Sequence, residues 1–209
     1  MTQFDNRYWE AHWAPPMNSA FHSLPPNPYV QSETTDLRPT TALDAGCGAG
    51  SEAMWLAEQG WRVTAADISE KALEMARARS TAAGLGGRIE WIEADLSHWE
   101  PARTWDLVVT SYAHSELSQL EFYRRIASWV APGGTLLIVG HLHGAEHHGQ
   151  DHPEAATATL PGIVSLFVEP DWLIEAAYDN TRTSHPGGNA GHLRDVIVRA
   201  RRLHPEGSG

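Results

Sequence analysis

Basic residues are scarce in this 209-residue chain, in which 15 Lys and Arg stand against 26 Asp and Glu for a formal net charge of −11. A phosphate backbone is bound mainly through Lys and Arg, so this balance argues against a nucleic-acid partner. The single Cys47 excludes an internal disulfide and a cysteine-rich metal site. No apolar stretch reaches membrane-spanning length, and no signal peptide opens the sequence. We therefore expect a cytoplasmic protein without a membrane partner.

Two common nucleotide-binding motifs are also missing. The chain lacks G-x-x-x-x-G-K-[S/T], and its glycine-rich segment departs from G-x-G-x-x-G. What is present is DAGCGAG at 44–50, where three glycines alternate after a short apolar run that ends in Asp44. Asp67 closes the next apolar run, beyond a helical stretch. Glycines let the backbone approach a ligand, and a strand-end acid can accept hydrogen bonds from ribose hydroxyls. The pattern predicts a nucleoside site.

Strand and helix patterns alternate from this segment onward, which predicts a parallel sheet with helices on both faces. The predicted strands end near Asp44, Asp67, Asp95, Tyr112 and Gly140, and the predicted helices are Ser51–Gln59, the stretch from the Ser69 cap to Gly84, Glu116–Val130 and Pro170–Tyr178. Strands at Asp179–His185 and Arg194–Arg201, joined by a turn at 187–189, are predicted to form a final hairpin. Ligands bind at the carboxyl ends of parallel strands, so the site is expected there.

Three segments follow from these patterns: an aromatic N-terminal arm or cap at 1–38, the core at 39–202 and a flexible tail at 203–209. Tyr8, Trp9 and Trp13 are spaced as on a helix, and five prolines between Pro15 and Pro28 predict an extended path. The aromatic residues either dock the arm on the core or cover the ligand site. Both uses remain open.

The DAGCGAG segment resembles motif I of class I S-adenosylmethionine-dependent methyltransferases, (D/E)-x-G-x-G-x-G, and residues 41–140 resemble that family's core. The resemblance implies an α/β fold with a Rossmann-like, seven-stranded, mostly parallel sheet, helices on both faces and a C-terminal antiparallel strand. It implies S-adenosylmethionine as the cofactor and a small-molecule methyl acceptor as the partner. The cofactor-binding residues implied are Asp44, Ala45, Gly46, Cys47, Gly48, Asp67, Ile68, Asp95, Leu96 and Ser111, and the resemblance of the arm given below adds Trp9 and Trp13, either of which would cover the cofactor.

The resemblance also assigns roles within that set. Asp44 would lie near the amino group of the methionyl part, and Asp67 would bind the ribose hydroxyls. Ile68 and the Leu96 backbone would meet the adenine ring, and Asp95 its amino group. Ser111 would sit near the methionyl end. Asp95 is equally explained as a simple strand-end carboxylate.

A narrower resemblance concerns the acceptor. YWEAHW, AFHS and NPYV in the arm resemble the N-terminus of thiopurine S-methyltransferases, and the GH at 140–141 together with the final hairpin resembles small bacterial tellurite-resistance methyltransferases. Both groups methylate small, soft nucleophiles. The resemblance implies a thiol, a selenium or tellurium oxyanion, or a similar acceptor.

The candidate catalytic residues are His114, His141 and Tyr112, each just after a predicted strand, with His22 in the arm as a further candidate. A soft nucleophile can arrive ionised and need little help, whereas a hydroxyl or amine would need a base such as His. Each histidine is also explained as part of the pocket wall, and Tyr112 as a wall residue or hydroxyl donor.

The sequence is also compatible with a metal site and with functions other than methyl transfer. The histidine-rich connection holds His141, His143, His147, His148 and His152, which could bind zinc or nickel with Glu146 and Asp151 nearby, although a solvated loop without metal is favoured. The alternatives to methyl transfer are an NAD(P)-dependent oxidoreductase and a catalytically silent module that binds a nucleoside or a metal.

Overall fold

The computed structural model describes residues 4–14, 24–142, 158–184 and 191–205, with the backbone alone at 182–184 and 191–193. Within these ranges one sheet has seven strands. The strands are β1 Thr41–Ala45, β2 Arg62–Asp67, β3 Ile89–Glu93, β4 Trp105–Ser111, β5 Val130–His141, β6 Trp172–Ser184 and β7 Gly191–Arg202.

The strand order in the sheet is β3-β2-β1-β4-β5-β7-β6. The first five strands pair in parallel, and β7 pairs antiparallel with both β5 and β6. The order reverses between β1 and β4, because β1 leads outward to β2 on one side and pairs with β4 on the other. This mostly parallel, Rossmann-like sheet confirms the predicted fold class.

The helices are α1 Asn6–His12, α2 Pro28–Thr34, α3 Ser51–Glu58, α4 Glu70–Ala82, α5 Gln119–Ala127 and α6 Leu160–Val164. The Ser69 side chain caps α4 by accepting from the Ala72 N–H, as the sequence predicted. In α5 the predicted helix is shortened at both ends, because a capping box of Ser118 and Glu121 starts it and Val130 already belongs to β5.

The core has two apolar layers, one on each face of the sheet. Leu136 and Ile138 of β5 pack with Phe122 of α5 in one layer. Leu137 of the same strand packs with Leu56 of α3 in the other layer. Alternate residues of a buried strand point to opposite faces, so helices cover both sides.

Two predicted elements are wrong. Pro170–Tyr178 is not a helix, because Trp172 begins the long strand β6, in which alternate residues are partly buried. The extended path predicted through Pro28 is replaced there by α2, whose first residue is Pro28 and whose N-cap is Asn27. Proline suits the first turn of a helix because that position needs no N–H donor.

The described ranges contain no helix long and apolar enough to cross a membrane. The predicted turn at 187–189 and most of the tail lie outside the described residues. The boundaries of the arm, the core and the tail stay predictions.

Candidate active site

The glycine loop, residues 46–50, joins β1 to α3 at the point where the strand order reverses. Its path is fixed by the Gly46 and Cys47 N–H groups, which donate to the Ala66 carbonyl at 2.8 and 3.1 Å. Gly46 has a φ of 84°, and a side chain there would collide with Cβ of Ala113. Glycine is therefore needed for both the turn and the close packing beneath it.

Asp44 lies at the end of β1 with 1% of its surface exposed. Its Oδ2 atom has no hydrogen-bond partner among the described residues. Burial, followed by the negative charges of Glu52 and Asp67, raises the pKa of this carboxyl well above its usual range. A buried acceptor in this state suits a cationic or hydrogen-bonding group of a ligand.

Asp67, at the end of β2, holds the glycine loop from the other side. Its Oδ2 accepts from the Gly48 N–H at 2.8 Å, and its Oδ1 accepts from the Ser69 N–H at 2.9 Å. Burial raises the pKa of the carboxyl in spite of these hydrogen bonds. Asp67 therefore has a structural part in addition to the predicted contact with a ribose.

Beside Asp67 opens a cavity of about 370 Å³, here called the acidic crevice. The residues that line it are Asp5, Asn6, Ile68, Glu93, Ala94, Asp95 and Glu116. It therefore includes Ile68 and Asp95, two of the residues predicted to contact adenine. No Lys or Arg is among the lining residues, so the surroundings are unfavourable for an anion.

The predicted adenine contacts differ in how they are held. Asp95 accepts from the Ser97 N–H at 2.9 Å and lies 2.7 Å from His98 Nδ1. Burial raises the pKa of Asp95, but the hydrogen bonds from His98 and Ser97 outweigh it and the net pKa is lowered. Leu96 is buried in the core, and its carbonyl accepts from Arg125 Nε at 2.7 Å.

Helix α1 of the N-terminal arm lies across the ends of β1 and β2. Glu10 accepts from the Ser69 hydroxyl at 2.8 Å, and Asn6 Nδ2 donates to the Ile68 carbonyl at 2.7 Å. Trp13 packs on the glycine loop, since a Cβ at Gly48 would lie 2.9 Å from its ring. Trp9 packs within the arm against Phe4, at 6.0 Å between ring centroids. The arm therefore contacts the residues predicted to bind the nucleoside.

The three candidate catalytic residues lie together at the ends of β4 and β5. Tyr112, at a φ of 55°, stacks on His141 with ring centroids 4.4 Å apart. The His114 and His141 rings are 6.1 Å apart. Phe4 of the arm lies 5.3 Å from the His114 ring and links this group to the arm. His22 lies outside the described residues.

Two polar residues of this region were not singled out from the sequence. Asn27 is buried; its side chain donates to Ser111 Oγ at 3.2 Å, and its N–H donates to Glu52 at 3.1 Å. Gln119 is also buried and lies 3.0 Å from His114 Nδ1. The Asn-Pro start of α2 was a detectable signal for Asn27, whereas no motif marks Gln119.

The described part of the chain contains no group of three or more His, Cys, Asp or Glu residues arranged to hold a metal. The predicted ligands His143, His147, His148, His152, Glu146 and Asp151 lie outside the described residues. Cys47 is buried in the glycine loop, and burial raises the pKa of its thiol well above the usual range. This suits a packing role rather than a nucleophilic one.

Residues 42–134 match the methyltransferase domain family. Over 118 residues the chain is 34% identical to a trans-aconitate 2-methyltransferase of Streptomyces avermitilis, which covers 52% of this chain and 42% of the relative. The matched part spans between 32% and 56% of the length of four curated relatives.

Solved structures extend the similarity to the whole sheet. A protein studied in the conversion of a disulfide bond into a thioacetal group during echinomycin biosynthesis has a TM-score of 0.72 and 22% identity, over 97% of this chain and 94% of that protein. The N-methyltransferase NodS from Bradyrhizobium japonicum WM9, in complex with S-adenosyl-L-homocysteine, has a TM-score of 0.66 and 17% identity, over 95% and 98% of the two chains. At these identities the likeness is one of fold. The chain therefore carries a match to the methyltransferase domain at 42–134, and its whole sheet has the fold of the NodS structure that binds S-adenosyl-L-homocysteine.

Proposed function

We propose that this chain transfers a methyl group from S-adenosylmethionine to a small molecule that presents a soft nucleophile. The observation that carries the proposal is Asp44, a buried carboxyl with an unbonded oxygen at the strand-order reversal, beside a glycine loop. The aromatic and histidine side chains at the ends of β4 and β5 lie close by in the fold. This arrangement supports a donor site next to an acceptor site.

The residues present fit the donor. S-adenosylmethionine supplies a methyl group that its sulfonium already activates. Asp44 would accept from the amino group of the methionyl part, and Asp67 from the ribose hydroxyls. Ile68 and Asp95, in the acidic crevice, would contact the adenine. Trp13 would cover the ligand from the arm side, as it covers Gly48.

Electrostatics favours a thiol among the soft acceptors. The acidic crevice has four carboxyl residues and no Lys or Arg in its lining, and the chain has a net charge of −11. The crevice itself is assigned to the adenine, but a selenium or tellurium oxyanion would still have to approach a protein of net negative charge, whereas a thiol arrives neutral. A polarisable sulfur also packs well against aromatic rings such as Tyr112 and Phe4.

We infer that His114 is the base for such an acceptor, and that His141 and Tyr112 form the wall beside it. The S–H bond of the acceptor would break, its proton would move to a ring nitrogen of His114, and its electron pair would form the new bond to the methyl carbon. The bond from that carbon to the donor's sulfonium would break at the same time, and its electron pair would stay on the donor's sulfur. The resulting imidazolium then gives its proton to water. The arm contributes by excluding water from the site through Phe4 and Trp13.

The test is a turnover screen with isotopically labelled methyl donor across thiols, selenite, tellurite, halides, phenols and amines. We expect labelled product with thiols and little or none with the oxyanions. Label transferred to selenite or tellurite in preference to thiols would refute the thiol assignment but not methyl transfer itself. No labelled product with any acceptor, together with no binding of S-adenosylhomocysteine, would overturn the proposal.

Donor binding is tested separately by calorimetry with S-adenosylhomocysteine. Asp67→Ala should weaken binding through the lost ribose contact and through the lost acceptor of the Gly48 N–H. Asp106→Asn is the matched control, since Asp106 lies at the opposite end of the sheet and accepts from Thr41. Equal affinities for Asp67→Ala and the unmodified chain would contradict the assignment.

The two alternatives predict different results in the same experiments. An oxidoreductase would bind NAD(P)H, and a fluorescence titration would detect it; the glycine spacing does not favour this function. A silent binding module would give heat with S-adenosylhomocysteine but no labelled product with any acceptor.

A further inference from the structure

Gln119 is a buried polar residue at the start of α5, with 4% of its surface exposed. Both ends of its side-chain amide are engaged. Nε2 donates to the Ala113 carbonyl at 3.0 Å, and Oε1 lies 3.0 Å from Nδ1 of His114. Gln119 therefore connects the backbone just after β4 with the ring of the proposed base.

The carbonyl of Ala113 determines which way the amide points. A carbonyl oxygen can only accept, so the NH₂ end of Gln119 must face Ala113 and the oxygen must face His114. An amide oxygen also only accepts, so the proton on this side of the imidazole must belong to His114 Nδ1. A neutral imidazole has one N–H, which makes Nε2 the accepting nitrogen.

The surroundings hold this amide firmly in place. The capping box of Ser118 and Glu121 fixes the first turn of α5, where Gln119 is the first residue. Tyr123, one turn later on the same helix, is buried. Burial raises the pKa of the Tyr123 hydroxyl, so it remains neutral across the physiological range. In this network the group that faces His114 Nδ1 is therefore an amide oxygen held in a fixed position.

We propose that Gln119 is a positioning residue that keeps neutral His114 in the tautomer whose Nε2 accepts the proton of the methyl acceptor. This inference rests on the proposed function. It narrows the class of acceptor, because an imidazole whose Nε2 carries no proton can take one from an acceptor that arrives protonated. A thiol or a selenol meets that requirement, since the X–H proton passes to Nε2 and the electron pair remains on X. A fully ionised oxyanion has no such proton to give.

The first test is ¹⁵N NMR of the histidine rings in the full chain without donor or acceptor. In the unmodified protein we expect the His114 proton on Nδ1. Gln119→Leu removes both hydrogen bonds at similar volume and should release the ring into a mixture of tautomers. Gln119→Glu keeps an oxygen for the Nδ1 proton, so it should keep the His114 proton on Nδ1. His141, Tyr112 and Glu116 are unchanged in every variant.

Tyr123→Phe serves as the matched control, because it removes a buried hydroxyl one turn further along α5 but leaves the amide contacts with Ala113 and His114 in place. It should show the same His114 tautomer as the unmodified chain. A His114 proton on Nε2 in the unmodified protein, or an unchanged tautomer in a folded Gln119→Leu variant, would overturn the proposal. A Gln119→Leu variant that does not fold leaves the tautomer of the unmodified chain and of Gln119→Glu as the deciding measurements.

The second test measures turnover with a thiol acceptor. Gln119→Leu should lower kcat by at least about tenfold, which is part of the 10²–10⁴-fold that a general base contributes, with an unchanged Kd for S-adenosylhomocysteine. An unchanged kcat in this variant would contradict the positioning role. Because the NMR measurement needs no turnover, failure of methyl transfer and failure of the tautomer assignment are told apart.

Discussion

The Asp44 carboxyl is buried, so its ionisation is unfavourable unless a cationic group such as the amino group of the donor binds beside it. Its pKa in the folded protein is raised by burial and by the charges of Glu52 and Asp67. A raised pKa contributes stability that is complete below the unfolded value of about 3.9 and is lost as the pH rises through the folded value. Ionisation of Asp44 at higher pH therefore lowers the free energy of unfolding of the chain without ligand.

Replacement of this carboxyl should separate stability from binding. Asp44→Asn removes the charge at constant size, so the variant should gain free energy of unfolding relative to the unmodified chain between about pH 5 and pH 8. Urea unfolding at both pH values measures this difference. A stability difference that does not change with pH would contradict the raised pKa.

The same variant should bind the donor less well. A hydrogen bond to a charged group contributes about 1.5–3 kcal/mol, so the Kd for S-adenosylhomocysteine should rise by about 10- to 150-fold. Calorimetry at neutral pH gives this value, with Asp106→Asn as the control of equal chemistry. If both variants bind alike, Asp44 has no contact with the ligand's amino group.

The residues at the strand ends could be predicted because parallel strands bring their carboxyl ends to one edge. Asp44 and Asp67 each close an apolar run, and the structure brings both to the glycine loop. Asn27 could not be placed in this way. Its contact with Ser111 joins residues 84 positions apart, and it depends on the path of the arm, for which the sequence has no periodic signal.

At the scale of elements, α1 acts as a cover for the glycine loop. Trp13→Ala should remove the ring that packs on Gly48 and open this side of the site. We expect S-adenosylhomocysteine to dissociate about tenfold faster, since an aromatic contact and its buried area are worth about 1–2 kcal/mol together. Stopped-flow displacement measures the rate.

The control for this prediction lies on the same helix. Arg7 is exposed on α1, so Arg7→Ala should leave the dissociation rate unchanged. Equal rates in the Trp13 variant and the unmodified chain would mean that the arm packs on the core without covering the ligand.

The start of α5 is a second element with a measurable contribution. Ser118→Ala removes the hydroxyl that accepts from the Glu121 N–H and should lower the free energy of unfolding by about 1 kcal/mol. Ser128→Ala, at the other end of the helix, removes a hydroxyl that donates to a carbonyl and should change stability by less than about 0.5 kcal/mol. Urea unfolding of both variants tests the difference, and equal losses would contradict it.

Most elements were predictable because buried strands such as β4 are continuous apolar runs, and helices such as α4 and α5 begin with side-chain caps. The segment from Trp172 to Tyr178 misled the prediction for a physical reason. Glu175, Ala176 and Ala177 favour a helix locally, but pairing with β7 along the whole strand outweighs that preference. In the structure, partly buried and exposed residues alternate along this segment, as is typical of a strand at the edge of a sheet.

At the scale of the molecule, Arg199 of β7 ties the antiparallel part of the sheet to α2. It donates to both oxygens of Asp36 at 2.8 and 2.9 Å, to the Glu33 carbonyl at 2.8 Å and to Glu175 at 3.0 Å. The hydrogen bonds that Arg199 donates to Asp36 raise the pKa of the guanidinium, so it stays charged. Through α2 this residue also supports Asn27 and the hydroxyl of Ser111.

Arg199→Met keeps the length of the side chain and removes these bonds. We expect a loss of about 1 kcal/mol in the free energy of unfolding, which decreases at high salt because Asp36 is largely exposed. Arg77→Met, which breaks the half-exposed pair with Glu70, is the control and should lose less. Equal losses from the two variants would show that the tie to α2 adds nothing beyond a surface ion pair.

The overall topology could be predicted from the alternation of strands and helices, whereas the covering of the site could not. The sheet follows from local patterns, but the cover depends on contacts such as Asn6 with Ile68, which are set by tertiary packing alone.

The position of β7 between β5 and β6 has a consequence during synthesis on the ribosome. In the described sheet β6 pairs with β7 alone, and β7 is made after it. A nascent chain that has emerged only as far as β6 therefore has a thirteen-residue strand with no neighbour to join. The edge of β5 that pairs with β7 is also unpaired until β7 is made. A ribosome stalled before β7 would therefore carry a chain in which β5 and β6 both have unpaired edges, and both edges would be sites for chaperone binding or for aggregation.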